Sequence, residues 1–311
     1  MFTENNVSNY FSDNADAWLA DAYEQSGYHY PTPFHRLRVL NKILNEVSGV
    51  KKVLDLGCGG GHVALLLAGQ GYDVLGIDGS ENMIARALDA LEKQDLRTKT
   101  NAKFKRQSIY ELDVQGYDAT TAMGVIGYFP SDKTLFDIAC KTLVTGGYFI
   151  VSFRNKLFDL CSISDYTKSD VENGEFERLS AEFQTKSSEM VPREALIDFI
   201  KSLHSITGRI LEQGIHESST TERPSKHRNI DYVGRCDPRQ STPDEVVSCA
   251  LNAGFEFVSM HGIHPHIANP HLNKLLPATI YNQLSDSLLS LENTSVSLTW
   301  SSVCIGVFKK V

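Results

Sequence analysis

The sequence predicts an α/β protein built on a mostly parallel β-sheet that helices cover on both faces. Between Lys51 and Asn155, short apolar runs typical of buried strands alternate with segments of helical periodicity. A glycine-rich turn, Gly57–Gly61, joins the first of these strands to the first helix. The alternation resumes at Thr242. Strand–helix units repeated at this spacing favour a parallel doubly wound sheet.

The first stretch contains five predicted strands and three predicted helices. The strands are Lys52–Leu56, Asp73–Asp78, Lys103–Ile109, Asp118–Val125 and Tyr148–Phe153. The helices are Gly61–Gln70, a segment from the N-cap Ser80 to about Glu92, and Ser131–Val144, which Gly146 and Gly147 are expected to close. We predict two further helices in residues 1–50.

The alternation stops after the fifth strand, so residues 156–240 are predicted to be an insert in one α/β domain. Thr242 and Glu245 form a capping box with Pro243 at the first helical position, which predicts a helix that ends near Gly254. Two more strands are expected after that helix. They are Phe255–Met260 and Val296–Phe308.

Composition excludes several classes of protein. The 311 residues carry a net charge of -8, whereas a general nucleic-acid-binding protein usually has a basic excess. No apolar run reaches the roughly 18–20 residues of a membrane span, and the N-terminal residues lack a signal-peptide pattern. The six cysteines are scattered, as is typical of reduced thiols. We therefore expect a cytoplasmic protein with neither nucleic acid nor membrane as a partner.

The segment Val53–His62 carries the most functional information. It is a strand that contains Asp55, followed by glycines at alternate positions and then a helix. Glycines allow a tight turn and the close approach of a ligand, and the helix start presents free N–H groups. A P-loop would require Lys and Ser or Thr after the last glycine, and a dinucleotide fingerprint would require Gly or Ala where His62 stands.

A second acidic residue follows at the end of the second strand. Asp78 lies about 20 residues after the glycine turn, where an acid can hold the two hydroxyls of a ribose. Gly79, Ser80 and Met83 come directly after it. Together the two acids and the glycine turn predict a nucleoside-containing cofactor.

The pattern Asp55-x-Gly57-x-Gly59-x-Gly61 resembles motif I of the class I S-adenosylmethionine-dependent methyltransferases. The resemblance implies S-adenosyl-L-methionine as cofactor and S-adenosyl-L-homocysteine as product. It also implies a seven-stranded sheet whose last strand is antiparallel and lies beside the fifth. Where the family has an acid near the adenine, this chain has Ser108. The cofactor-binding residues implied are Tyr10, Trp18, Asp55, Gly57, Cys58, Gly59, Gly61, Asp78, Gly79, Met83, Ser108, Ile109, Met123 and Gly124.

The resemblance also implies a division of the chain. Residues 1–50, which contain Tyr10 and Trp18, would form a helical lid over the cofactor. Residues 51–155 and 241–311 would form the Rossmann-like cofactor-binding domain, and residues 156–240 the substrate cap.

Candidate acceptor residues lie where the predicted strands end. His261 and His264 follow the predicted sixth strand, and Tyr128, Arg154 and Asn155 follow the fourth and fifth. Ligands of open parallel sheets bind beyond these strand ends, so we predict catalysis by His261, His264 or Tyr128 and substrate contact by Arg154 and Asn155. The alternative for the histidines is a surface or capping role. Their loop setting and the absence of nearby cysteines or carboxylates argue against a metal.

The insert contains a locally basic stretch in an acidic chain. The stretch is Glu222–Arg239, and we predict that Arg228 and His227 in it, with His216 before it, bind an anionic group of the substrate. His216 and His227 are also second-choice catalytic candidates. The alternative is a solvated loop.

We therefore predict methyl transfer to an oxygen or nitrogen atom of a small molecule, such as an anionic sugar derivative, natural-product intermediate or metabolite. The alternatives are methylation of protein or RNA, an NAD-dependent oxidoreductase of related fold, and a binding module without turnover. A homodimer is left open.

Overall fold

The computed structural model describes residues 3–23, 30–213, 236–270, 272 and 275–311. Seven strands form a single sheet in this part of the chain. They are β1 Lys52–Leu56, β2 Asp73–Asp78, β3 Ala102–Arg106, β4 Tyr117–Met123, β5 Leu143–Arg154, β6 Phe255–Pro265 and β7 Ser301–Lys310. Their order across the sheet is β3-β2-β1-β4-β5-β7-β6.

The pairing confirms the predicted mostly parallel sheet with an antiparallel last strand. β1 pairs in parallel with β2 and β4, β2 with β3, and β4 with β5. β7 lies between β5 and β6 and runs antiparallel to both. The carboxyl ends of the six other strands therefore lie along one edge of the sheet, where ligands of this topology bind.

Fourteen α-helices occur in the described residues. They are α1 Glu4–Asp13, α2 Ala15–Tyr23, α3 Thr32–Glu46, α4 His62–Gln70, α5 Glu81–Glu92, α6 Leu96–Asn101, α7 Asp132–Thr142, α8 Asp159–Ser162, α9 Asp165–Glu172, α10 Phe176–Ser188, α11 Arg193–Gln213, α12 Pro243–Asn252, α13 Ala278–Asp286 and α14 Ser297–Trp300.

Two predicted helix starts are confirmed in atomic detail. The Ser80 hydroxyl accepts from the Met83 N–H at 3.1 Å and caps α5. At the start of α12, the Thr242 hydroxyl accepts from the Glu245 N–H (3.2 Å) while the Glu245 carboxylate accepts from the Thr242 N–H (2.8 Å). Each bond satisfies an amide that a helix end otherwise leaves without a partner.

Two buried apolar clusters cover the two faces of the sheet. One includes Phe136 of α7, Phe149 of β5 and Phe308 of β7. The other packs residues of α3 and α4, such as Leu40 and Leu67, against the opposite face. This two-sided burial explains why the strands are apolar along their length instead of alternating with polar residues.

Several predicted boundaries were wrong. The third and fourth strands end at Arg106 and Met123, earlier than predicted, and the fifth starts at Leu143. Gly146 therefore lies inside β5 and does not close α7, which ends at Thr142. A register shift between Tyr117 and Ala119 accommodates the lengthened β5. The sequence reasoning also missed α6 and α13.

The sixth and seventh strands differ most from the prediction. β6 continues from Met260 to Pro265, so His261 and His264 lie within the strand and not after it. Residues 297–300 form α14, and β7 starts only at Ser301. Residues 1–50 contain three helices among the described residues, where two were predicted.

None of the described helices has both the length and the apolar composition that crossing a membrane requires.

Candidate functional site

Two adjoining cavities lie at the carboxyl-end edge of the sheet, around the ends of β1, β2 and β4. Their volumes, counting the space at their open mouths, are about 770 and 450 Å³. Trp18, Gly57, Gly59 and Met123 line both. The remaining residues of the larger cavity are Glu4, Val7, Ser8, Phe11, Asp78, Gly79, Met83, Ile109, Tyr110, Gly124, Val125, Tyr128 and Phe129. The remaining residues of the smaller cavity are Tyr23, Pro33, Arg36, Leu37, Asp55, Cys58, Gly60 and Val63.

The glycine turn between β1 and α4 shapes the floor of both cavities. Gly57, Gly59 and Gly61 have φ values of +67°, +51° and +83°, which side chains disfavour. A Cβ on Gly57 would lie 2.5 Å from a methyl carbon of Val125. The turn is held to β2 because the Gly57 and Cys58 N–H groups both donate to the Ile77 carbonyl (2.7 and 3.0 Å). The turn thus needs glycine for conformation and for space.

Asp78 is fixed at the end of β2 by two backbone amides. Its carboxylate accepts from the Gly59 N–H at 2.9 Å and from the Ser80 N–H at 2.8 Å. Burial raises the pKa of Asp78, and these two hydrogen bonds oppose that rise. Each carboxylate oxygen keeps a further lone pair, so the pair can accept hydrogen bonds from two neighbouring hydroxyls in the larger cavity.

Asp55 lines the smaller cavity with an incompletely satisfied carboxylate. The side chain is 1% exposed, and its Oδ1 accepts from the Thr121 hydroxyl at 2.8 Å. The Oδ2 atom is buried and has no partner among the described residues. Burial raises the pKa of Asp55 to about 7. A buried carboxylate of this kind is stabilised in its ionised form by a cation that enters the cavity.

Arg36 of α3 lines the same cavity with the opposite charge. Its Nη1 donates a long hydrogen bond to the Ser152 hydroxyl (3.4 Å), and its buried Nε has no partner among the described residues. Burial lowers the pKa of Arg36. The smaller cavity therefore presents one carboxylate and one guanidinium that each lack a full set of partners, an arrangement that suits an α-amino acid zwitterion.

The helices α1 and α2 cover both cavities. The Ser12 hydroxyl lies 3.0 Å from the Ser80 hydroxyl, and Arg86 of α5 forms a two-pronged ion pair with Asp16. The Tyr23 ring lies flat on the His62 ring, with centroids 3.5 Å apart and an angle of 2° between the planes. These contacts fix the two helices to the starts of α4 and α5.

Tyr128 stands at the side of the larger cavity that faces the end of β5. Its ring meets the Phe11 ring edge to face, with centroids 5.2 Å apart. Burial raises the pKa of Tyr128, and the charges of Arg154 and Arg36 oppose that rise. Two cationic side chains thus act on one hydroxyl group next to the cavity.

Most of the residues that the sequence assigned to the cofactor line these cavities, but three do not. Tyr10 packs its ring on Phe11 (5.2 Å) instead. A Cβ on Gly61 would lie 2.7 Å from the Phe104 ring, so its role is in the turn itself. The Ser108 hydroxyl accepts from the Tyr110 N–H (3.1 Å) and caps a short 3-10 helix.

The predicted position of His261 at the strand end was wrong. The residue is 5% exposed in the middle of β6, and its ring bonds to the Ser259 hydroxyl (2.9 Å) and the Asn293 side chain (2.6 Å). It lines a separate cavity between α3, α12 and β6. The extension of β6 past Met260 is the physical reason, because it carries His261 into the sheet.

His264 lies at the end of β6, near the expected edge of the sheet. Its ring stacks on Tyr30 with centroids 4.8 Å apart, and its Nδ1 lies 2.8 Å from the Ser302 hydroxyl. It lines neither cavity, so its catalytic role stays a prediction.

Asn155 is committed to the backbone. Its Nδ2 donates to the carbonyls of Leu298 (2.5 Å) and Ser301 (2.8 Å), and its Oδ1 accepts from the Leu157 N–H (3.1 Å). A side chain occupied in this way is unsuited to the predicted contact with substrate. Arg154, the residue before it, is exposed. The predicted substrate residues His216, His227 and Arg228 lie outside the described residues.

Sequence reasoning missed several residues that line the cavities. Arg36, Tyr23, Phe11 and Val7 come from the N-terminal helices. No short motif marks them, because their positions depend on how the helices pack over the strand ends. The sequence feature that could have indicated Arg36 is its position among the apolar residues of α3.

In the part of the chain that the structure describes, no group of three or more His, Cys, Asp or Glu side chains is arranged to hold a metal ion.

Comparison with known proteins finds sequence similarity over the first part of the α/β domain. Residues 48–198 match the model of a family described as a methyltransferase domain. Ubiquinone biosynthesis O-methyltransferases from Aliivibrio fischeri and Coxiella burnetii are each 32% identical to it, over 152 and 150 residues. The matches cover 47% and 48% of this chain and 61% of each relative. The chain thus spans about three fifths of the length of the curated relatives it matches.

Solved structures share the fold across nearly the whole chain. Magnesium protoporphyrin IX methyltransferase from Synechocystis PCC 6803, with bound SAH, has a TM-score of 0.54 at 13% identity and covers 99% of both chains. The cyclase SpnF has a TM-score of 0.55 at 12% identity, covering 99% of this chain and 96% of its own. Likeness at this identity shows the fold alone. Residues 48–198 of this chain are thus similar in sequence to methyltransferase domains, and the chain shares the fold of solved methyltransferases.

Proposed function

We propose that this chain binds S-adenosyl-L-methionine in the two adjoining cavities and transfers its methyl group to a small molecule. The observation that carries the proposal is the pair of Asp55 and Arg36. Both line the smaller cavity, and each has a buried polar atom without a partner among the described residues. The ammonium and carboxylate groups of the cofactor's amino-acid portion have the charges that these two side chains require.

The larger cavity suits the adenosine portion. Asp78 can accept from the two ribose hydroxyls, as expected from the sequence. Met83 and Ile109 supply apolar surface for the base. The glycine turn lets the ligand approach the backbone between these two contacts.

When bound, the cofactor supplies a methyl group that its positively charged sulfur makes electrophilic. The residues of this chain bind and orient it. Asp55 and Arg36 hold the amino-acid portion, Asp78 holds the ribose, and the aromatic rings of Phe11, Trp18 and Tyr128 exclude water from the cavity. Orientation and water exclusion are the main contributions that a protein makes to such a transfer.

We propose that residues 1–50 act as the lid that the sequence predicts. Trp18 and Tyr23 line the cavities from above, and Leu19 packs on Gly60, where a Cβ would lie 2.8 Å from the Leu19 side chain. A ligand enclosed in this way requires α1 and α2 to move before it enters or leaves. Residues 156–240 are proposed to form the cap over the acceptor.

The acceptor is proposed to be a small molecule with a hydroxyl or amino group. The names of the curated relatives favour an oxygen atom. We propose that Tyr128 and Arg154 contact it, since the charge of Arg154 acts on the Tyr128 hydroxyl beside the cavity. Within the described residues, no histidine lines either cavity.

A turnover assay tests the proposal. The protein is incubated with methyl-labelled S-adenosylmethionine and, separately, with 3,4-dihydroxybenzoate, its neutral amide, a primary amine, bulk tRNA and denatured protein. Label transfer to a small probe, with release of S-adenosylhomocysteine, is the expected result. Transfer confined to tRNA or protein would contradict the small-molecule acceptor. Binding of NADH without binding of S-adenosylhomocysteine would contradict the cofactor.

A further inference from the structure

We infer that Glu292 is a positioning residue for the cofactor's carboxylate, acting through helix α3 and Arg36. This inference rests on the proposed function. Glu292 lies in the connection between β6 and β7, 256 positions along the chain from Arg36 and outside both cavities.

The Glu292 carboxylate contacts three basic side chains on one face of α3. Glu292 Oε2 accepts from Arg38 Nη2 (2.6 Å) and lies 3.3 Å from His35 Nε2, while its Oε1 lies 3.5 Å from Lys42 Nζ. Residues 35, 38 and 42 have the spacing of a single helix face. Together with the apolar packing of α3 against the sheet, the three contacts restrain the rotation of α3 about its axis and its position along that axis.

The carboxylate itself is rigidly placed. Glu292 is 6% exposed, and its own carbonyl accepts from the Gly262 N–H of β6 (2.9 Å) and from the Ser297 hydroxyl (3.1 Å). The backbone of Glu292 is thus bound to β6 at the edge of the sheet. Glu292 therefore adds a polar connection between α3 and the sheet to the apolar packing of the helix.

We infer that Arg36 depends on that placement because its side chain has a single hydrogen bond among the described residues. It follows His35 by one residue, so it projects about 100° further around the helix, where it lines the smaller cavity. Arg36 Nη1 donates a long hydrogen bond (3.4 Å) to the Ser152 hydroxyl of β5, and Arg36 Nε has no partner among the described residues. A turn or slide of α3 would therefore displace the guanidinium from the cavity.

The experiment compares two ligands that differ in the amino-acid portion, on which both Arg36 and Asp55 are proposed to act. S-adenosylhomocysteine carries the amino-acid portion, whereas 5′-methylthioadenosine has the same nucleoside and sulfur without it. Dissociation constants for both are measured by calorimetry on the full chain. The variants are Glu292→Gln, Glu292→Asp and Arg36→Met. Asp286→Asn is the matched control, since Asp286 lies on the same connection and its hydrogen bond is to the hydroxyl of Tyr30 (2.9 Å), which precedes α3.

Glu292→Gln is expected to weaken S-adenosylhomocysteine about tenfold, the order of one charged hydrogen bond. Methylthioadenosine should change less than twofold. Glu292→Asp should restore part of the loss, and Glu292→Gln should cost little more in an Arg36→Met background. Asp286→Asn should leave both affinities unchanged.

Equal weakening of both ligands by Glu292→Gln would overturn the inference, because a general loss of structure does not distinguish them. Unchanged affinity for both would overturn it as well. If Glu292→Gln does not fold, the same comparison is made with Glu292→Asp. A folded wild-type protein that binds neither ligand would overturn the proposed function itself, and the inference with it.

Discussion

The Ser12 hydroxyl of α1 lies 3.0 Å from the Ser80 hydroxyl at the start of α5. This contact connects α1, which covers the larger cavity, to the turn between β2 and α5, which forms one wall of that cavity. Two side chains this close can be joined by a disulfide when both are cysteine. The contact therefore offers a direct test of the proposed lid.

The oxidised variant Ser12→Cys/Ser80→Cys should neither take up nor release S-adenosylhomocysteine. A covalent bond at this position prevents α1 from moving away from the cavity, and reduction should restore exchange. Stopped-flow or equilibrium dialysis of the oxidised and reduced forms provides the measurement. The single variants, treated with the same oxidant, control for the loss of the Ser80 cap and for the native cysteines. Exchange at the wild-type rate in the oxidised double variant would show that the lid does not gate the site.

Asp55→Asn should stabilise the ligand-free protein at high pH and weaken S-adenosylhomocysteine binding. Burial raises the pKa of Asp55 in the folded protein to about 7, well above the ordinary value of about 4 for an aspartate. A carboxyl group whose pKa is higher in the folded than in the unfolded protein favours the folded state when it is protonated. That contribution is complete below about pH 4 and is lost as the pH rises through about 7. The asparagine avoids this loss, on the order of a few kcal/mol, and still accepts from Thr121.

Chemical denaturation of wild type and Asp55→Asn from pH 4 to pH 8 checks this prediction. The two curves should converge near pH 4 and separate towards pH 8, with the variant more stable. Thr121→Val serves as a comparison, because it removes the hydrogen bond to Asp55 and leaves the carboxylate. A variant that is less stable than wild type at pH 8 would contradict the prediction.

Gly57→Ala should cost more stability than Gly116→Ala. Both glycines have positive φ (+67° and +84°), so both substitutions incur about 1–2 kcal/mol of backbone strain. At Gly57 the added methyl also meets Val125 at 2.5 Å, whereas nothing lies within 4 Å at Gly116. Overpacking of this kind costs about 1–3 kcal/mol more. Urea denaturation of both variants measures the difference, and equal losses would show that Val125 moves aside.

Glu292 should contribute to stability at neutral pH and lose that contribution in acid. Burial opposes its ionisation, but contacts with His35 and Arg38 prevail and lower the pKa of Glu292 to about 2. A depressed carboxyl pKa stabilises the fold above the unfolded value near 4.5, and the contribution disappears as the pH falls through about 2. The stability difference between wild type and Glu292→Gln should therefore shrink steadily between pH 5 and pH 2. A difference independent of pH would contradict this account of Glu292.

The central sheet and the glycine turn were predictable because they are encoded locally. Strand β1, the turn with Gly57 and Gly59, and the acid Asp78 form one continuous pattern in which each residue type has a steric or electrostatic reason. The helix caps Ser80 and Thr242 were predictable for the same reason, since each hydroxyl accepts a hydrogen bond from the amide only three residues later in the sequence.

The remainder depended on contacts between distant segments. Arg36 reaches the cavity because Glu292 and the packing of α3 place it there, and no local pattern contains that information. His261 was misplaced because β6 gains five residues beyond Met260 by pairing with β7. Asn155 looked like a rim residue, yet its side chain satisfies the backbone at Leu298 and Ser301, 143 and 146 positions away.

The central claim, that the two cavities bind S-adenosylmethionine, is tested most directly by a thermal shift with S-adenosylhomocysteine. The wild-type protein and Asp78→Ala are compared, with NADH as a control ligand. Ligand at 100 times its dissociation constant should stabilise the wild type by about 2.7 kcal/mol, a shift of a few degrees in Tm. The account predicts that this shift is absent in Asp78→Ala and absent with NADH. A shift with NADH alone, or an equal shift with S-adenosylhomocysteine in Asp78→Ala, would contradict it.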